Sequence, residues 1–322
     1  MDKNKIAVVD YHDYTSGDPE KRKKFIQNFG DSFSNMGFAI VRNHGVTEAL
    51  KKRLFEVSKA FFELPDDVKK KYEDEANHGQ RGYISKNKES AKGKSVPDLK
   101  EFYHVGQTVT DGDSIKAEYP DNIWPTDVVK DFKDVGLEVY NTFEQTGRNL
   151  LRATALYLDL PENYFDDKIH NGNSILRLLH YYPVQDKSQI PEGAVRAAAH
   201  GDINLITLLM GGSADGLQAQ TLDGEWIPVS PKEDEIVINI GDMLARLTND
   251  VFRSTQHRVI TPNEASWTKP RYSAPFFLHP RSDMDLTCLE TCVSEENPKH
   301  YEDITAGEFL TERLVELGLK KS

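Results

Sequence analysis

The pattern of apolar positions changes character along the chain. In the first half, apolar residues recur at three- and four-residue steps. Asp18-Pro19 reads as an N-cap with proline at the first helical position, and Phe25, Phe29 and Phe33 follow at i, i+4 and i+8 until Gly37 closes the element. Phe38 to Val41 reads as a short strand and Asn43-His44-Gly45 as a turn. Thr47 then caps a helix whose Leu50, Leu54, Val57 and Phe61 share one face, stopped by Pro65. A polar, glycine-containing loop is expected over 77–98. A long helix is expected over about 126–158, with Phe132, Val135, Val139, Phe143, Leu150 and Ala153 on its apolar side.

From Ser174 the period shortens. Ile175 to Tyr182, Asn204 to Met210, Leu217 to Leu222, Glu225 to Val229, Glu235 to Ile240, Arg258 to Ile260 and Tyr272 to Leu278 are β-type runs separated by glycine, proline and acidic turns. Asp223-Gly224 between two of them is a hairpin signal. Many short strands without intervening helices predict an antiparallel sandwich or barrel rather than a parallel sheet. The segment from Thr305 to Leu319 returns to a helix.

Composition narrows the partners. Forty Lys and Arg against 52 Asp and Glu give a net charge of −12, which opposes binding to nucleic acid or to an anionic membrane but not to a small anion. Cys288 and Cys292 are too few for a disulfide framework or a four-cysteine zinc site, and they are expected to be reduced. The first residues show no signal-peptide pattern, and the apolar stretch Leu205 to Met210 is too short to span a bilayer. A cytoplasmic monomer is the expectation.

Three short motifs carry the chemistry. In His200-Gly201-Asp202, residues i and i+2 of an extended backbone project to one side, so an imidazole and a carboxylate can converge. His257, beginning a later strand, can add a third ligand from across the sheet. Two histidines and one carboxylate on one face of an octahedron leave three positions open, as in non-heme Fe(II) oxygenases; zinc accepts the same set. Arg271-Tyr272-Ser273 places a guanidinium and a hydroxyl on the same side of a strand, a pair able to grip a carboxylate.

Together these motifs resemble the isopenicillin N synthase-like branch of the Fe(II)/2-oxoglutarate-dependent oxygenases. The resemblance runs from about residue 6 to 315. It is carried by Asn43-His44-Gly45-Val46, Leu176 to Pro183, His200-Gly201-Asp202 with Thr207-Leu208-Leu209, Gly216-Leu217-Gln218, Trp226 to Val229, Asn239-Ile240-Gly241-Asp242, His257-Arg258-Val259 and Arg271 to Phe277. His180 stands where many plant relatives carry Asn.

The resemblance implies a mainly β fold, a double-stranded β-helix (jelly roll) with flanking helices. Region 1–115 would be an N-terminal helical and strand region covering the core, and 116–322 the jelly-roll core with its supporting helix and a C-terminal helix. It implies Fe(II) held by His200, Asp202 and His257, and 2-oxoglutarate held through its distal carboxylate by Arg271 and Ser273 with help from the Tyr182 hydroxyl. The implied activity is oxidation, above all hydroxylation, of a small-molecule substrate by O2 with release of succinate and CO2. Arg177, His104 and Phe277 are the candidates for the substrate pocket. A catalytically silent jelly-roll binding protein is the alternative of another class. Within the enzymes, an iron oxidase of the isopenicillin N synthase type that takes no 2-oxoglutarate is the alternative.

Overall fold

The computed structural model describes residues 5–74, 79–86, 88, 99–186, 188, 196–211, 216–261 and 264–316 (for 264 and 265 the backbone alone). Twelve strands are found among them: β1 (Ala7–Asp10), β2 (Phe38–Arg42), β3 (Gly82–Ile84), β4 (Glu101–Gly106), β5 (Ile175–Tyr181), β6 (Ala197–His200), β7 (Ile206–Gly211), β8 (Leu217–Gln220), β9 (Trp226–Pro228), β10 (Glu235–Ile240), β11 (His257–Val259) and β12 (Arg271–Leu278). The α-helices are α1 (Tyr11–Thr15), α2 (Pro19–Met36), α3 (Glu48–Phe62), α4 (Asp66–Lys69), α5 (Phe132–Tyr157), α6 (Asp166–Ile169), α7 (Asp242–Leu247) and α8 (Ala306–Glu316).

The strands form an eight-stranded sheet in the order β1-β2-β10-β7-β12-β5-β4-β3 and a four-stranded sheet in the order β6-β11-β8-β9. Only the β1–β2 pair is parallel among the described strands. Apolar side chains from both sheets, including Phe38, Ile40 and Val237 of the large one and Ala197, Leu217, Ala219 and Val259 of the small one, pack into one cluster. This is the mainly β, helix-flanked architecture expected, with a sheet-on-sheet core.

Helices back the large sheet on its other face. Asp18 accepts from the backbone N–H groups of Glu20 and Lys21, which starts α2, and Gly37 at φ 66° ends it. Phe25, Phe29 and Phe33 are buried as a ring ladder with centroids 5.4 and 4.2 Å apart. Burying each such ring contributes about 2–3 kcal/mol. Helix α5 lies against β12, where Tyr140 meets Phe276 edge-on at 5.0 Å.

Several boundaries differ from the sequence reading. Helix α5 begins at Phe132, not 126, because the backbone after Pro125 first makes a turn in which Val128 and Val129 donate to the Pro125 carbonyl. The expected 77–98 loop contains strand β3, and most of its remainder lies outside the described residues. Region 1–115 is more than a cover, since β1 to β4 are hydrogen-bonded into the large sheet. Central strand β12 contains Pro275, and the missing N–H falls where the β12–β5 register is interrupted, between Ser273↔Leu179 and Phe276↔Leu176.

Candidate active site

The antiparallel β6–β11 pair sets His200 directly opposite His257, with ring centroids 4.4 Å apart. The Nε2 atoms of both lie 3.8 Å from Oδ1 of Asp202. One donor atom from each residue falls within a 4.8 Å cluster, so the three can share one metal ion.

Surrounding groups orient all three. His200 Nδ1 donates to the Ala198 carbonyl at 2.7 Å and His257 Nδ1 to that of Thr255 at 3.3 Å, which leaves each Nε2 as the free lone pair. Asp202 Oδ2 accepts from Thr207 Oγ1 (2.6 Å, β7) and Asn239 Nδ2 (2.8 Å, β10), which turns Oδ1 toward the imidazoles. Burial alone would raise the Asp202 carboxyl pKa; the imidazoles and these two donors outweigh it and hold the pKa below its usual value. His200 is 45% exposed at its side chain, yet the loss of water on its protein-facing side, and then the neighbouring His257, push it down to about 4. A neutral imidazole and an ionised carboxylate are the protonation states a divalent cation requires. The donor set therefore fits Fe(II).

Beyond the triad the cavity runs between the sheets and is walled on one side by β12 and β5. Arg271, Ser273, Pro275 and Phe277 alternate inward on β12, and Arg177, Leu179 and Tyr181 inward on β5. Arg271 is 7% exposed; its Nε and Nη1 are buried without a hydrogen-bond partner, and no carboxylate pairs with it among the described residues. A buried cation in this state costs several kcal/mol unless an anion joins it. Its Cζ lies 5.0 Å from the Tyr181 ring centroid.

Tyr181 shares the inward face with Arg271, because the two are register partners, and Tyr182 lies one residue beyond the strand. Lys86 Nζ is 5.2 Å from the Tyr182 ring centroid.

Arg177 and Phe277 line the cavity, with Arg177 Cζ 5.2 Å from the Phe277 ring and 4.2 Å from that of Phe102. His104 does not line it but backs Arg177. Its Nδ1 lies 2.7 Å from the Gly79 carbonyl, so Nδ1 carries the proton and Nε2 accepts from Arg177 Nε at 2.7 Å. His180 faces the opposite side of β5, bonded to Glu101 at 2.8 Å and stacked on Tyr272 at 4.7 Å.

Sequence reasoning assigned no role to Thr207, Asn239, Lys100 or Tyr181, all of which line the cavity. A signal for two of them exists. Thr207 and Asn239 are isolated polar residues inside the apolar runs Ile206-Thr207-Leu208 and Ile238-Asn239-Ile240, and a buried polar side chain must have a partner.

Comparison with known proteins agrees with this geometry. Residues 6–127 match the family described as non-haem dioxygenase in morphine synthesis N-terminal, and residues 172–280 match the 2OG-Fe(II) oxygenase superfamily. The 2-oxoglutarate-Fe(II) type oxidoreductase ppzD of Metarhizium majus is 31% identical over 97% of this chain and 95% of its own length. A Caulobacter crescentus protein assigned to the 2OG-Fe(II) oxygenase family is 42% identical, with a TM-score of 0.87 over 97% of this chain and 99% of that one. A full-length Neurospora crassa protein, solved in complex with alpha-KG and thymine, is 29% identical, with a TM-score of 0.86 over 98% of both chains.

Proposed function

This chain belongs to the 2OG-Fe(II) oxygenase superfamily and is an Fe(II)- and 2-oxoglutarate-dependent oxidoreductase, and from that premise we propose how its residues divide the work. His200, Asp202 and His257 hold the iron. Arg271 and Ser273 hold the distal carboxylate of 2-oxoglutarate with help from the Tyr182 hydroxyl, and Tyr181 lies against the guanidinium. When bound, Fe(II) and 2-oxoglutarate activate O2, yield succinate and CO2, and oxidise a C–H bond of the substrate. The chain supplies orientation: Thr207 and Asn239 aim the carboxylate, Arg271 fixes the far end of the cosubstrate, and the apolar walls at Leu179, Leu209, Val259 and Phe277 exclude water.

The observation that carries this reading is Arg271, a buried guanidinium with two nitrogens lacking a hydrogen-bond partner among the described residues, beside the cluster of His200, Asp202 and His257. The iron oxidase that dispenses with 2-oxoglutarate gives way to the superfamily match. A silent binding protein gives way to the complete triad.

The substrate is a small molecule, with hydroxylation as the proposed outcome. Arg177 and Phe277 line its end of the cavity, and His104 sets the Arg177 side chain. The thymine held by the Neurospora neighbour supports a compact substrate. We read residues 1–115 and 116–322 as one catalytic unit in a cytoplasmic monomer. No helix among the described residues is long and apolar enough to cross a membrane.

Anaerobic titration of the Fe(II) protein with 2-oxoglutarate tests the assignment. A visible charge-transfer absorption is expected, absent in Asp202→Ala and reached only at higher concentration in Arg271→Met. No absorption in the wild type, or none of the expected differences, overturns it.

A further inference from the structure

Two buried guanidinium groups meet at the Tyr181 ring. Arg271 Cζ is 5.0 Å from its centroid and Arg196 Cζ is 5.7 Å from it. Arg196 is 4% exposed and immediately precedes β6, the strand that ends in His200. Its Nη2 donates to the carbonyls of Ser266 (2.5 Å) and Lys269 (3.3 Å), in the turn that delivers the chain to Arg271. Its Nη1 is buried with no partner, as are Nε and Nη1 of Arg271.

No carboxylate pairs with Arg196 among the described residues. Burial, and then the nearness of Arg271, push the Arg196 pKa below the ordinary arginine value. Two cations buried side by side without an acid are costly unless one anion serves both. Arg196 is absent from the cavity lining while Arg271 and Tyr181 are present, so its action on a ligand passes through them.

We propose that Arg196 is a second arginine of the cosubstrate site, a positioning residue that holds Tyr181 and the 266–271 turn against Arg271 and adds its charge to the field meeting the distal carboxylate of 2-oxoglutarate. The inference rests on the reading that Arg271 takes that carboxylate. It gives the anion one guanidinium in contact, Arg271 from β12 of the large sheet, and a second behind it, Arg196 from the strand entry of the small one. A role confined to the general shape of the cavity, packing between Trp267, whose ring centroid is 6.0 Å from Arg196 Cζ, and Tyr181, would serve every ligand alike. A charge acting on the distal carboxylate serves only a ligand that has one.

The test is calorimetric titration of the Fe(II)-loaded protein under anaerobic conditions. It compares 2-oxoglutarate with 2-oxobutyrate, which lacks the distal carboxylate. Arg196→Met is expected to weaken 2-oxoglutarate about tenfold and to leave 2-oxobutyrate within about twofold of wild type. Unchanged 2-oxoglutarate affinity, or equal weakening of both ligands, overturns the inference. If Arg271→Met loses the preference for 2-oxoglutarate while Arg196→Met keeps it, only the role of Arg196 falls. If wild type shows no preference between the two acids, the reading of Arg271 falls and this one with it. Should Arg196→Met not fold, Arg196→Gln retains a donor for the two carbonyls and carries the same comparison.

Discussion

Thr207 donates a 2.6 Å hydrogen bond to Oδ2 of Asp202, and so decides that Oδ1 is the oxygen facing both imidazoles. Thr207→Val keeps the shape of the side chain and removes the donor, leaving Asn239 as the other donor to that oxygen. Fe(II) affinity is expected to fall about 10- to 100-fold, the usual range for losing such a partner. Competition against a chelator of known affinity measures it. An unchanged affinity would mean that Asn239 suffices to orient the carboxylate.

Arg271→Met has opposite effects with and without the cosubstrate. In the free protein the guanidinium is buried without an anion, so its removal should leave the melting temperature unchanged or raise it. Saturating 2-oxoglutarate at about 100 times its Kd stabilises the wild-type Fe(II) protein by about 2.7 kcal/mol, and this gain should shrink in the variant at the same concentration. Thermal melts with and without 2-oxoglutarate separate the two effects. A variant that melts lower when free and gains as much as wild type on addition would contradict both.

The sequence carried the ligand triad because each ligand sits on or beside a short strand, where alternation ties residue number to direction. The same logic explains why Tyr181 beside Arg271 was not legible. The run Leu176 to Pro183 contains two adjacent tyrosines, and only the register Arg271↔Tyr181 tells which one faces inward. Register is a property of the partner strand, so it is invisible in a single run. Strands β3 and β4 escaped for another reason. The β4 segment Glu101-Phe102-Tyr103-His104 is buried on both faces, and its polar members are satisfied by distant residues such as Lys69 and Arg177. No local alternation marks it.

That buried β4 carboxylate gives a pH-dependent stability. Glu101 accepts from Lys69 Nζ at 2.7 Å and His180 at 2.8 Å, and also from the Tyr83 hydroxyl. Burial would raise its pKa; the His180, Lys69 and Tyr83 donors outweigh it and hold it below the ordinary 4.5. A carboxyl lowered on folding adds stability that is full above its unfolded pKa. That stability is lost as pH falls through the folded one. Melting temperature should therefore drop below about pH 4.5, with a shallower acid slope in Glu101→Gln. Equal slopes would remove Glu101 as the source. At neutral pH, Lys69→Met should cost about 3–5 kcal/mol by leaving that carboxylate without its ammonium partner.

Gly241 is required by close approach rather than by its backbone angle. A Cβ there would sit 2.1 Å from the Asn204 carbonyl oxygen, and the next residue, Asp242, donates its N–H to the Asp202 carbonyl at 2.7 Å. Gly241→Ala must push backbone aside directly behind Asp202, a proposed metal ligand. Denaturant unfolding should show a loss of about 3 kcal/mol, with weaker Fe(II) binding in the same protein. Wild-type values for both would mean that the 202–204 backbone can yield.

The two histidines of the triad and the proposed carboxylate anchor stand on different walls. His200 and His257 belong to the four-stranded sheet, whereas Arg271 and Ser273 belong to the eight-stranded one. A cosubstrate that touches the iron at one end and Arg271 at the other is then a strut across the sandwich. Amide exchange should slow first in β6 and β11 when iron alone is added. The slowing should spread to β5 and β12 only when 2-oxoglutarate spans the gap. The order of loading becomes the order in which the two halves of the sandwich stop breathing.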